Sequence, residues 1–594
     1  MPTVAPRSLP DTADLVVVGA GVSGLYTAWR YLQKNPDDDV VVIERLNRPG
    51  GRLQTDLVEV ETDDGTVTIR EEEGGMRFNY SMRELMSVFG ALDLCDQIVP
   101  FPMQGSNNRY HFRGRTFTHQ EAAENPGIWG ELFDLAPEER NRAPTAILAT
   151  VFRRVLRNNG LEEKPADPDP EWWQHMRLHF TWGGTPLYEW QLWGLMRDMG
   201  YSEGCCTMLA HALGFEGPFF SRMNAGEAFQ LLEDFPADPT YFTFRKGFST
   251  LVDALVSAVE QEGESIFLRT NVDELQANGS GYDLSCMVAP DGQSSSPYVE
   301  GGRPERMHGD KVVLAVARKA LEDLWQTSPV LNRRHGDDEA REAGHELWAN
   351  LQTATDQQLL KINLYFPRAW WRTIDRPVAY GPSFSDLPVG SVYPFYALEP
   401  RMAQDDVTEP PPAHLPAALT IYCDWDNANF WRGLQESSTA FSSSLQKKYS
   451  TRDPQRIFPA SEAVVEEALR LFSVLYSTPA LDIPEPIMTS FRLWDGESDF
   501  GYAVHQWGLG AKDDAVMQAL ANPVGDIYTC GEAFSDMQGW VNGALRSADL
   551  ALDAMDGIPP LRSEEDVHPC AAPGSAGARG DGAASVAADA SVSA

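Results

Sequence analysis

Residues 14–53 read DLVVVGAGVSGLYTAWRYLQKNPDDDVVVIERLNRPGGRL, and this stretch decides the fold. Leu15-Val16-Val17-Val18 is a β-branched apolar run, too short for a helix and suited to a parallel strand buried on both faces. Gly19, Gly21 and Gly24 follow at G-x-G-x-x-G spacing, and Leu25, Ala28, Trp29 and Leu32 then recur at helical spacing. A second apolar run, Val40 to Ile43, ends in Glu44. In such a strand–turn–helix–strand unit the first glycine permits the tight turn. The second lets backbone approach a pyrophosphate, and the third lets helix and strand pack closely. The helix N-terminus faces the phosphates with unpaired N–H groups, and Glu44 stands where an acid accepts a hydrogen bond from a ribose hydroxyl. The register as a whole predicts a dinucleotide site.

At 594 residues, with 43% hydrophobic and 10% aromatic content, the chain suits a globular protein of two or three domains with a large core. A formal net charge of -38 argues against nucleic acid and anionic membrane surfaces as partners. The seven cysteines are scattered, odd in number and lack a C-x-x-C pair. They predict neither a disulfide framework nor a metal site, but buried thiols in a reducing compartment. The leader MPTVAPRSLPDTAD has no apolar h-region, and no apolar run approaches membrane-spanning length, so a cytoplasmic location is the expectation. Beyond Ile558 the Ala/Gly/Ser-rich end reads as a disordered tail over 559–594.

Other segments extend the argument. Arg48-Pro49-Gly50-Gly51-Arg52 is a second glycine turn, bringing cations to the same pyrophosphate. Glu71-Glu72-Glu73-Gly74-Gly75-Met76-Arg77 follows a strand-like run from Thr66; alone, Arg77 reads as a surface arginine after a hairpin. Leu359 to Phe366 alternates like a strand, with Lys361 in its apolar part. By pattern alone that is an edge-strand lysine reaching solvent. Residues 278–309 are rich in Gly, Ser and Pro and read as a sheet-edge excursion with a mobile loop. Near the end come Gly501 to Trp507, then Asp526 to Ala533 with Gly531-Glu532, then Gly539-Trp540-Val541-Asn542-Gly543-Ala544.

The R-x-G-G-R turn behind the βαβ unit, closed by the Gly-Glu strand and the Gly-Trp-Val helix, resembles the flavin-dependent amine oxidases over nearly the whole chain. It is most like the L-amino-acid oxidases. The resemblance implies FAD, contacted by Gly19, Gly21, Val22, Ser23, Gly24, Glu44, Arg45, Gly51, Arg52, Gly75, Met76 and Arg77. It adds Val272 against the adenine, Gly531 and Glu532 at the ribityl or pyrophosphate region, and Gly539, Trp540, Val541 and Ala544 beside the flavin. It implies that Arg77 grips a substrate carboxylate, with Tyr393 (or Tyr396) beside it and Gly539 and Trp540 walling the α-carbon. It also reverses the reading of Lys361, which would hold a water near the flavin N5 and assist dioxygen. Ser383–Pro388, Val392–Pro394 and Asp426–Phe430 resemble strands of the family's substrate-domain sheet. His505 is open between a catalytic base and a satisfied core histidine.

The expected architecture is α/β: a discontinuous Rossmann-like FAD-binding domain (14–72, 243–320, 520–557), a mixed-sheet substrate-binding domain (73–125, 321–519) and a helical subdomain (126–242). The implied reaction passes a hydride from the α-carbon of an L-amino acid to flavin N5. Water then hydrolyses the imino acid to 2-oxo acid and ammonia, and dioxygen is reduced to hydrogen peroxide. Amino-acid 2-monooxygenase and amine or polyamine oxidase chemistry stay open, the latter because of Asp495, Glu497 and Asp499. A redox-silent FAD scaffold is the reading from another class. The family suggests a homodimer; no metal, nucleic acid or membrane is expected.

Overall fold

A computed structural model describes residues 8–570 apart from 63–64, 167, 213–221, 234–239, 264, 291–301, 398–409, 448–450, 453–457, 498–500 and 564–568. The strand Thr12–Val18 lies at the centre of a seven-stranded sheet, parallel to Val40–Ile43 on one side and to Arg303–Leu314 on the other. Ser265–Phe267 and Ile527–Thr529 extend the parallel layer at its two flanks. Alternation along the central strand divides the core. Leu15 and Val17 pack under the helices Val22–Lys34, Ser249–Gln261 and Val541–Asp556. Val16 and Val18 pack under Arg318–Thr327, Asp338–Leu351 and Asp513–Ala521. Covering on both faces is why this strand is an unbroken apolar run. Thr270–Asn278, Gly281–Val288 and the first half of Arg303–Leu314 form an antiparallel meander on this sheet. Most of the expected 278–309 excursion is therefore paired strand, and only 291–301 lies outside the described residues.

A second seven-stranded sheet runs in the order Met488–Trp494, Leu359–Phe366, Ala417–Asp424, Ser391–Tyr396, Ser383–Ser385, Arg109–Phe112, Arg115–Thr118. Leu360, Ile362 and Leu364 face a core capped by the helix Glu462–Leu475. Lys361, Asn363 and Tyr365 face the opposite way, against the hairpin Thr55–Thr62/Gly65–Glu72 and the chain that follows it. The strand is therefore interior, flanked on both sides, and Lys361 is only 2% exposed. This corrects the edge-strand reading. A sequence pattern shows which residues share a face but not that a second layer covers it.

Three further expectations change. Asp426–Phe430 lies within the helix Trp425–Ser437, not a strand. The boundary at 242/243 falls inside Tyr241–Phe244, which pairs with Ile98–Phe101 and not with the Rossmann-like sheet. And Cys95 and Cys570 form a disulfide, with Cα atoms 5.5 Å apart, while the other five cysteines are buried thiols. Residues read as tail are thus attached: Leu561–Ser563 form a 3-10 turn with Leu561 buried, and Cys570 is tied to the first half of the chain. Residues 571–594 lie outside the described ones. The helices of 126–242 enclose their own core, against which Trp172, Trp182, Trp190 and Trp193 pack. Among the described residues, no helix is long and apolar enough to cross a membrane, and no cluster of His, Cys, Asp or Glu is arranged for a metal.

Candidate active site

A cavity of about 610 Å³ runs between the two sheets. One end is the glycine turn. Gly19 has φ +108°, and a Cβ there would lie 2.4 Å from Ala315 O; one on Gly24 would lie 2.0 Å from Gly19 O. These two glycines let strand, turn and helix close up. A Cβ on Gly21 would meet nothing within 4 Å, because Gly21 faces the cavity. It is also the N-cap of Val22–Lys34, with no side chain capping the helix, so the leading N–H groups are available to an anion. Glu44 is fixed by accepting from Ala20 N at 2.9 Å and Leu46 N at 2.8 Å. Of the two arginines in the second turn, Arg48 donates to Gly51 O at 2.8 Å and props the loop, while Arg52 enters the cavity.

At the C-terminal motif, Glu532 Oε2 is 2.5 Å from Arg52 Nη1 and 2.8 Å from His505 Nδ1, and Oε1 accepts from Gly539 N at 2.7 Å. Burial alone would push this carboxyl up; Arg52 and His505 outweigh it and hold it well below the usual carboxylate range. Gly539 has φ +82°, turning the chain into the helix Val541–Asp556.

Arg77, Tyr393 and Trp540 lie around one aromatic corner. Arg77 Nη1 is 3.5 Å from Tyr393 OH, and its Cζ sits 4.9 Å from the Tyr241 ring centroid and 5.9 Å from that of Tyr393. Trp540 stacks parallel to Tyr241 at 6.5 Å. Arg77 Nε is buried with no hydrogen-bond partner among the described residues. Tyr396, three residues along the same strand, points to the other face. There it donates to Ala379 O and accepts from Trp371 Nε1 at 3.0 Å. Lys361 lines the cavity, yet its Nζ donates to Glu72 O at 2.5 Å and Gly74 O at 2.7 Å.

A model of the family described as flavin-containing amine oxidoreductases matches residues 22–555. The chain belongs to that family. Aplysianin-A of Aplysia kurodai is 24% identical over 562 residues, covering 91% of this chain and 90% of its own. An L-amino-acid oxidase of Demansia vestigiata is 20% identical over 564 residues, covering 92% and 87%. The solved structure of a putrescine oxidase mutant covers 92% of this chain and 98% of its own, at 16% identity and a TM-score of 0.57. This flavin amine oxidoreductase therefore uses FAD, and its cavity fits that cofactor on its own terms. An uncapped helix N-terminus and Arg52 face the space above Gly21, and a fixed acid stands beyond each.

Most residues expected at the cofactor line this cavity: Gly19, Gly21, Val22, Ser23, Glu44, Arg45, Gly51, Arg52, Gly75 and Val272, then Gly531, Glu532, Gly539, Trp540, Val541 and Ala544. Gly24 does not; it serves the helix–strand contact. Met76, Arg77 and Tyr393 also stand back from it. Met76 packs in the core beneath, with Sδ 3.9 Å from Lys361 Nζ. Sequence reasoning missed three features. Tyr241 and Tyr422 approach Arg77 and Lys361 from strands in which neither tyrosine was expected at the site. Lys319 and Asp323 of the flavoprotein line the cavity from the helix Arg318–Thr327, in which no residue was singled out. And Asp56, Glu71, Glu72 and Glu73 form a buried acidic group behind Lys361. The only sequence signal for that group was three glutamates at the end of a strand.

Proposed function

We propose that this flavoprotein is an L-amino-acid oxidase, converting an L-amino acid, water and dioxygen into a 2-oxo acid, ammonia and hydrogen peroxide. The observation that carries the reading is Arg77. It is a largely enclosed guanidinium between two tyrosine rings and, among the described residues, has no acidic partner and retains a buried Nε without an acceptor. An unneutralised guanidinium in a low-dielectric corner favours an anionic ligand, and its planar fork matches a carboxylate. Tyr393 OH stands beside it as a second donor. FAD supplies the hydride acceptor. The protein's part is to seat the carboxylate on Arg77 and Tyr393, to turn the α-carbon towards the wall formed by Gly539 and Trp540, and to exclude water with the aromatic lining.

Oxidation of simple amines is the second reading, favoured by the likeness to a putrescine oxidase. The acidic group that would suit a cationic substrate is not free, since Asp495 and Glu497 both face Arg432, and Asp499 lies outside the described residues. The deciding experiment assays peroxide and ammonia with the L-amino acids, their D-forms and the decarboxylated amines. The expectation is turnover of L-forms alone. Arg77→Glu should lower kcat/KM for the best amino acid by roughly 10³-fold, as loss of a buried charge partner does. Unchanged kcat/KM in that variant would remove the carboxylate assignment. Carbon dioxide released without peroxide would move the enzyme to the 2-monooxygenases.

A further inference from the structure

Six charged side chains of alternating sign leave the FAD cavity and return to its wall. Arg52 Nη1 is 2.5 Å from Glu532 Oε2, which is 2.8 Å from His505 Nδ1. His505 Nε2 is 3.1 Å from Asp356 Oδ1, an ion-pair contact made off the N–H axis, and Asp356 Oδ2 is 2.5 Å from Arg318 Nη1. Arg318 Nη2 ends the series on Glu322 Oε1 at 2.5 Å. Arg52 and Glu532 line the cavity; Arg318 and Glu322 belong to the helix Arg318–Thr327, which lines it through Lys319, Ala320 and Asp323. In the middle stands His505, whose side chain is 0% exposed. It lies directly opposite Asp356 in the antiparallel pair Ala354–Gln357 and Val504–Trp507.

The geometry sets the charge of this histidine. A neutral imidazole has one N–H and one lone pair, so one ring nitrogen would aim a lone pair at a carboxylate. With one carboxylate oxygen 2.8 Å from Nδ1 in hydrogen-bond geometry and another 3.1 Å from Nε2, the imidazolium gains the bond at the first and charge attraction at the second. The cofactor needs that charge. Glu532 is an anion in a cavity that receives a pyrophosphate, and unless it is neutralised it repels the ligand it is placed to hold. Arg52 supplies one cation from the cavity side, and His505 supplies the other from within the protein. His505 also donates its backbone N–H to Glu532 Oε1 at 2.9 Å, so the same residue fixes the carboxylate's position and offsets its charge.

We infer that His505 is a positioning residue for FAD: a buried imidazolium, clamped between Glu532 and Asp356, that holds Glu532 on the cavity wall and makes cofactor retention fall as the pH rises. The groups that face it are Glu532 from the turn Glu532–Phe534, Asp356 from the opposite strand and Arg52 from the loop after Glu44, with Arg318 behind Asp356. Burial pushes the imidazole down and Arg52 adds to that. Glu532 and Asp356 outweigh both and raise it above its ordinary value. The sign follows: the imidazolium persists to a higher pH than that of an ordinary histidine and is lost as the pH rises through its raised value.

The test measures free-FAD fluorescence released when holoenzyme is diluted at a series of pH values, in wild type, His505→Gln and Asp356→Asn. Asp356 does not line the cavity; its variant takes one carboxylate from both His505 and Arg318, and the position of the pH transition reads the histidine. In the wild type, the apparent Kd for FAD should be level at low pH and rise about tenfold across one transition lying above the ordinary histidine value, the effect of one lost charge-assisted contact. Asp356→Asn, which leaves the imidazolium one carboxylate, should keep the transition and move it to lower pH. His505→Gln should hold FAD weakly throughout, with no transition. A transition at the same pH in Asp356→Asn and wild type would overturn the inference, as would wild-type retention in His505→Gln. If His505→Gln does not fold, the Asp356→Asn shift still decides.

Discussion

Replacing Lys361 by methionine keeps most of the buried volume and removes a charge from the cavity wall. The three N–H groups of Lys361 are directed at Glu72 O, Gly74 O and the Met76 sulfur, so what reaches the cavity is its charge rather than a free donor. A buried cation stabilises negative charge developing on dioxygen, and removing one such contribution typically costs about 10²-fold. Lys361→Met should therefore slow reaction of the reduced enzyme with dioxygen on the order of 10²-fold, with a smaller effect on anaerobic reduction by substrate; stopped-flow separates the two steps. Burial lowers the lysine's pKa, and Glu71, Glu72 and Glu73 offset this only in part. In wild type the oxygen step should accordingly fall as the pH rises through a value below that of an ordinary lysine. At this scale the sequence could name Lys361, Arg77 and Tyr393 but not the two further tyrosine rings beside them. Tyr241 and Tyr422 sit in strands whose partners are set by pairing between distant segments.

The hairpin that covers Lys361 carries its own pH dependence. Glu71 is 0% exposed, and neither carboxyl oxygen has a hydrogen-bond partner among the described residues. Burial first, and then Glu73, push Glu71 well up, and burial raises Glu72 and Glu73 to about 7. An acid whose pKa is raised on folding binds more protons in the folded state. These three therefore weaken the fold as the pH climbs from the ordinary glutamate range towards and past 7. Tm should be higher at pH 5.5 than at pH 7.5 by this contribution. Glu71→Gln keeps the shape of the protonated side chain and cannot ionise, so it should raise Tm at pH 7.5 by about 1 °C, on the order of 1 kcal/mol, and flatten the profile. Calorimetry at the two pH values checks both; a wild-type Tm that rises with pH would contradict the assignment. The strand itself was legible from Thr66 onward, but the burial of its glutamates was not, because the covering sheet lies hundreds of residues away in the chain.

For the molecule as a whole, the Cys95–Cys570 bond closes a separation of 475 residues and fastens the C-terminal segment beside the helix Arg83–Ala91, where Leu561 and Cys570 join the core. Loop closure of that length constrains the unfolded chain, with typical gains of about 2–4 kcal/mol. Cys95→Ser should lower Tm measurably. Thiol labelling of the unfolded, unreduced wild type should count five free cysteines, the number left outside the bond; seven would show that the bond is not formed in solution. The reducing-compartment expectation rested on unpaired thiols, and this bond removes that support.

By itself, the sequence determined the cofactor half of the protein. The glycine turn, the Glu44 strand end and the Gly-Glu closing motif are local devices, each complete within a few residues, because a pyrophosphate is bound by backbone and helix ends. Only the tertiary structure decided the rest. It turned Lys361 from an edge into an interior position, set Tyr393 rather than Tyr396 beside Arg77, and made a strand-like Asp426–Phe430 helical. It also joined His505 to Asp356 across two strands. These are properties of which layer covers a face and which distant strand pairs with which. Periodicity within one segment carries no record of either, since burial and charge at such positions are set by residues remote in the chain.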